Sequence, residues 1–136
     1  MKLKLYYSSK TRPFDKYDLS KMLSLLDKLQ TARFSCERID TSSMTDEEIQ
    51  HLYIEAIQPS VYNKYRIRQV FGSRRHSGWL FGKHVPALLV YDEGGRYPTD
   101  VYPHVKGGEE VTIEEFLTSL LEKIESSLRP SQPIQQ

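Results

Sequence analysis

The sequence predicts a single α/β domain, and three observations carry that prediction. Apolar residues first alternate with polar ones at the period of a strand and then recur at the spacing of a helix. Two Thr-x-x-Glu segments mark helix starts. Residues 85–91 form a continuous apolar run of strand length, the pattern of a strand covered by helices on both faces. A length of 136 residues with 38% hydrophobic and 27% charged side chains suits one compact core.

The elements follow in order. Leu3, Leu5 and Tyr7 alternate with Lys2, Lys4 and Tyr6 as in a strand, and residues 8–13 read as a loop. Leu19, Met22, Leu23, Leu26 and Leu29 then fall on one helical stripe behind the capping candidates Asp15 and Asp18. Residues 34–40 read as a second strand, with Arg38 and Ile39 breaking a simple in/out alternation. Thr45-Asp46-Glu47-Glu48 is a capping box ahead of Ile49, Leu52, Tyr53, Ala56 and Ile57.

Pro59 interrupts that helix, and residues 61–71 fit either a helix or an alternating strand, with helix preferred. Residues 72–84 hold three glycines and two serines among Arg74, Arg75, His76 and Trp79, a composition suited to an exposed loop, where binding usually sits. After the apolar run, Asp92-Glu93-Gly94-Gly95 is a turn signal, so residues 96–102 are expected to return as an antiparallel strand. Pro98 and Pro103 place that strand at a sheet edge. Thr112-Ile113-Glu114-Glu115 opens the closing helix, with Phe116, Leu117, Leu120, Leu121 and Ile124 on one face. The domain is expected over residues 1–128, with 129–136, rich in Pro and Gln, as a disordered tail.

Composition narrows the function classes. No segment has the roughly 18 to 20 uninterrupted apolar residues of a membrane helix, and charge interrupts the start before a secretory apolar region forms. A lone cysteine, Cys36, cannot form an internal disulfide, and a cytoplasmic location is expected. Net charge is +1, yet six of the 19 basic residues and none of the 18 acidic ones lie within residues 56–91. That basic island (Lys64, Arg66, Arg68, Arg74, Arg75, Lys83) interleaves with Tyr62, Tyr65, Phe71, Trp79 and Phe81. It reads as a solvated face over core aromatics, as a phosphate or carboxylate grip, or as a nucleic-acid surface. His51, His76, His84 and His104 are too scattered for a metal motif, so neither metal nor cofactor is expected. Glu109, Glu110, Glu114 and Glu115 flank a helix start, where the backbone dipole favours them without any catalytic role.

The order strand, helix, strand, helix, strand, strand, helix over roughly residues 1–125 resembles the thioredoxin-like superfamily, a three-layer sandwich, with an extended basic segment before the third strand. The local match is Gly82-Lys83-His84-Val85-Pro86-Ala87-Leu88, similar to the segment that in this family carries a cis-proline facing the active site. The resemblance implies a cis Pro86 and a Val85 backbone free to pair with a bound peptide or thiol. Redox members carry C-x-x-C after the first strand, whereas here Ser8-Ser9-Lys10-Thr11-Arg12-Pro13-Phe14 has no thiol, so dithiol exchange is chemically unavailable.

Three functions are thereby expected in decreasing order. The first is a non-catalytic binding module that recognises a protein or an anionic ligand through Ser8, Ser9, Arg12, Arg74, Arg75, His76, Trp79, Val85 and Pro86. The second follows from a similarity to the N-terminal half of glutathione transferases, in which Tyr7, Ser8 or Ser9 would donate a hydrogen bond to a bound thiolate. The third is nucleic-acid binding by the basic island.

Overall fold

A computed structural model describes residues 1–58, 61, 64–71 and 80–128. Four strands form a mixed sheet in the order β2-β1-β3-β4, from β1 (Lys2–Tyr7), β2 (Ser35–Asp40), β3 (Ala87–Tyr91) and β4 (Asp100–Tyr102). β1 runs parallel to β2 and antiparallel to β3, and β3 is antiparallel to β4. The helices are α1 (Leu19–Thr31), α2 (Asp46–Ala56), the single turn α3 (Arg68–Phe71) and α4 (Ile113–Leu128). A second, two-stranded sheet pairs β5 (His104–Lys106) with β6 (Glu109–Val111).

Strand alternation divides the core between two faces. Register places Leu3 and Leu5 beside Val90 and Leu88, and Leu88 beside Tyr102. Tyr102 stacks on Phe116 of α4 at 4.3 Å between ring centroids, and α4 packs on α1, so this is the α1/α4 face. The opposite face carries Lys4, Tyr6, Leu89, Tyr91 and Val101. Here Tyr6 and Tyr53 of α2 both contact Phe81, at 5.1 and 5.5 Å. Leu3, Leu5, Leu26, Leu29, Ile49, Phe71, Phe81, Leu88 and Leu89 are completely buried, each such side chain contributing roughly 1.5–3 kcal/mol through removal from water.

The helix starts form as their residues predict. Asp18 caps α1 by accepting from the Lys21 amide, and Thr45 and Glu48 form the reciprocal capping box of α2. Thr112 and Glu115 exchange the same pair of bonds before α4. All five residues of β3 are buried, as its apolar run predicts, whereas β2 alternates poorly because it is an edge strand with a largely exposed surface.

Within residues 61–71 the described residues follow the preferred helical reading, at Val61 and Lys64 and again in α3, with a turn at residues 65–67 between them. Two further features differ from expectation. The return strand starts only at Asp100, after a connection over residues 92–99 that includes Arg96, Tyr97 and Pro98. Thr99 still donates its amide to the Val90 carbonyl at the mouth of the ladder. The β5–β6 hairpin is an additional element, turned by Gly107 and Gly108, both with positive φ as a two-residue hairpin turn requires.

Candidate functional site

Two regions bear on function: the end of the sheet where the loop after β1 meets the segment before β3, and a cleft on the α2 face. At the sheet end the polar groups are already engaged. Ser8 is 3% exposed, and its Oγ accepts from the amides of Thr11 (3.0 Å) and Lys10 (3.3 Å), shaping the loop. Ser9 donates its hydroxyl to Asp40 at 2.5 Å and its amide at 3.1 Å, and the Ser42 amide also donates to Asp40. These bonds hold the Asp40 carboxyl below the usual carboxylate range, the Ser9 hydroxyl contributing most. Arg12 is exposed and pairs with the equally exposed Asp15.

The segment before β3 is equally closed. The Thr41 hydroxyl lies 3.1 Å from the Tyr7 carbonyl and 3.2 Å from that of Gly82, donating between them. Gly82 has φ +76°, and a Cβ there would come within 2.9 Å of Thr41 Cγ2, so only glycine fits. Val85 is 1% exposed; its amide donates to the Leu80 carbonyl and its carbonyl accepts from the Gly82 amide. The expected open Val85 backbone is therefore corrected: this hydrogen-bonded turn consumes both groups. The expected cis bond is corrected as well. Among the described residues the cis peptide is Tyr102–Pro103, and the Val85–Pro86 bond is trans, because residues 80–85 already reverse the chain. Pro86 is buried.

What stays open at this end is Phe14, whose ring stacks on His84 at 5.2 Å while its amide donates to the His84 carbonyl. Arg74, Arg75, His76 and Trp79 lie outside the described residues. Of the basic island, Lys64 reaches Asp100 at 3.5 Å and Lys83 reaches Asp46 at 2.7 Å, so acids from elsewhere in the chain neutralise both. Phe71 and Phe81 are core residues rather than surfaces on which a base could stack. Cys36 is half-buried on β2, and burial pushes its thiol up, away from reactivity.

The cleft on the α2 face has the opposite character. Its volume is about 520 Å³, between the C-terminal half of α2 and the β3–β4 connection, and its walls include Lys4, Tyr6, Leu52, Glu55, Tyr91, Arg96 and Tyr97. Strand alternation puts Lys4 and Tyr6 on this face of β1, and register sets Lys4 beside Leu89 and Lys2 beside Tyr91. The Lys4 ammonium sits 5.1 Å from the Tyr91 ring centroid, and the Arg96 guanidinium 5.4 Å from that of Tyr97. Among the described residues neither cation has a carboxylate within salt-bridge distance.

Tyr6 is 3% and Tyr91 7% exposed, yet neither hydroxyl has a hydrogen-bond partner among the described residues. Both residues line the cleft and neither oxygen is a buried atom lacking a partner, so the two hydroxyls open onto the cleft with their donor capacity available to a ligand. Burial, the neighbouring Tyr91 hydroxyl and Glu37 push the Tyr6 phenol well above its ordinary range, and burial followed by Glu37 raises Tyr91. Both therefore stay protonated at neutral pH and remain hydrogen-bond donors. Glu37 itself is bound by Lys2 at 3.0 Å. Sequence reasoning missed this site, since Lys4 and Tyr6 read as the outer side of a strand and Arg96 as part of another.

The chain matches no protein-family model, and neither a curated protein nor a solved structure is significantly similar to it. Among the described residues no group of His, Cys, Asp and Glu could hold a metal ion, and no helix is long and apolar enough to cross a membrane.

Proposed function

We propose that this chain is a thioredoxin-like binding module without dithiol chemistry, and that its ligand is an anion taken into the cleft on the α2 face. The observation that carries the ligand is the convergence of two cations, Lys4 and Arg96, with the hydroxyls of Tyr6 and Tyr91, which have no partner among the described residues. An anion would satisfy all four groups at once, through charge-assisted hydrogen bonds stronger than neutral ones. Support for the family reading comes from the element order β1-α1-β2-α2-β3-β4-α4 and from helices on both sheet faces. The trans Val85–Pro86 bond and the β5–β6 hairpin are departures from it.

The alternative of a thiol-handling protein is less favoured at Ser9, whose hydroxyl already donates to Asp40, and at Ser8, which is buried with its oxygen accepting from the Lys10 and Thr11 amides. Titration of the full chain with acetate and inorganic phosphate, followed by NMR chemical shifts, tests the proposal. Saturable shifts at cleft residues are expected, weakening with added chloride and falling about tenfold in the Lys4→Gln/Arg96→Gln double variant. Shifts that ignore the double substitution would remove the cleft from the function.

A further inference from the structure

We infer that the cleft selects a small aromatic carboxylate: one negative charge carried on a flat apolar body. This rests on the anion-binding reading above and adds to it the ligand's charge and shape. Three observations lead to it.

The first is the charge balance. Lys4 and Arg96 face the lining carboxylate Glu55, and Glu37, the register neighbour of Lys4, is bound by Lys2 and also feels the Lys4 charge, so three cations stand against two carboxylates. One net positive charge suits a monoanion, whereas a phosphate dianion would leave an uncompensated negative charge beside Glu55. The second is donor geometry. A carboxylate has two oxygens and about four lone-pair sites, and the cleft offers four donor groups: the Lys4 ammonium, the Arg96 guanidinium and the Tyr6 and Tyr91 hydroxyls. The third is the character of the remaining wall. Leu52, Ala56 and Pro98 are apolar, and the Tyr97 ring is 49% exposed beside them under the Arg96 guanidinium. An exposed aromatic ring next to a cation presents a surface to a second flat ring, not to a hydrated inorganic ion. The volume of about 520 Å³ lies within the usual range for small-molecule sites.

The test titrates the full chain with benzoate, cyclohexanecarboxylate, acetate and inorganic phosphate, again by NMR. Benzoate is expected to bind about five- to tenfold more tightly than acetate, the size of an aromatic pair contribution, and more tightly than cyclohexanecarboxylate. Tyr97→Ala should abolish the preference, bringing benzoate down to the level of acetate measured on the same variant; Tyr97 is exposed, so the fold does not depend on it. Tyr6→Phe and Tyr91→Phe should each weaken both carboxylates. If benzoate binds no better than acetate, or phosphate binds best, the aromatic carboxylate is wrong while the anion site stands. If none of the four binds, the anion site itself is wrong.

Discussion

The sheet end and the α2-face cleft use the same kinds of side chain to opposite effect. At the sheet end Ser8, Ser9 and Thr41 give every hydroxyl to the protein, and Asp40 is saturated by donors. In the cleft the hydroxyls of Tyr6 and Tyr91 have no partner among the described residues and the cations rest on aromatic rings. A polar residue marks a binding site only when its hydrogen-bonding capacity remains unspent, and this shows in partners, not in residue type.

The largest effect that would sharpen the contrast is on stability at the closed end. Gly82→Ala forces a Cβ against Thr41 at positive φ and should cost about 2–3 kcal/mol, read as a lower urea midpoint with little change in slope. Thr41→Val, which leaves the Gly82 carbonyl without its donor, should cost about 1–2 kcal/mol. Neither should change anion affinity per folded molecule; a change would mean that the two regions are coupled.

Cleft substitutions should show the reverse balance. Tyr6→Phe removes a hydroxyl with no partner among the described residues, so stability should stay within about 0.5 kcal/mol or rise slightly, while carboxylate affinity falls. A stability loss of about 1 kcal/mol or more, as for a lost hydrogen bond, would show that the hydroxyl is spent after all. Ser8→Ala is the matched control, expected to cost about 1 kcal/mol and to leave affinity untouched.

The smallest expected effect is a pH dependence that belongs to neither region. His104 is 3% exposed, stacks flat on Tyr65 at 3.8 Å, and its Nδ1 lies 2.7 Å from the Val101 carbonyl. Burial lowers its pKa, against the opposing pull of the Val101 carbonyl and Asp100, with Lys106 and Lys64 nearby. The unfolded chain therefore takes up the proton first. Stability contributed by neutral His104 is fully present above the ordinary histidine pKa of about 6.5 and is lost as pH falls below it. His104→Asn should flatten this limb of an unfolding profile between about pH 7 and 5; an unaltered slope would count against it.

Local signals in the sequence were the legible ones. Thr45 and Thr112 mark their helices because a capping box is complete within four residues, and the apolar run at 85–91 places an inner strand. Gly107-Gly108 was an available hairpin signal, but its flanks His104-Val105-Lys106 and Glu109-Glu110-Val111 are too short and polar to show a period. The cleft was hidden for a different reason. Lys4, Tyr6, Glu55, Tyr91 and Arg96 come from two strands, a helix and a connection, and only the β1–β3 register and the late start of β4 bring them together. Ser8 and Val85 misled because their chemistry suits a site while their neighbours consume it.

The connection over residues 92–99 lies outside the sheet ladder, yet it supplies Arg96, Tyr97 and Pro98 to the cleft. Half of the proposed recognition chemistry thus sits on a segment outside the buried strands. Substitutions there would reshape one wall of the cleft while Lys4 and Tyr6, fixed in β1, stay in place. The same separation makes residues 92–99 the place to begin if the specificity is to be redirected by design.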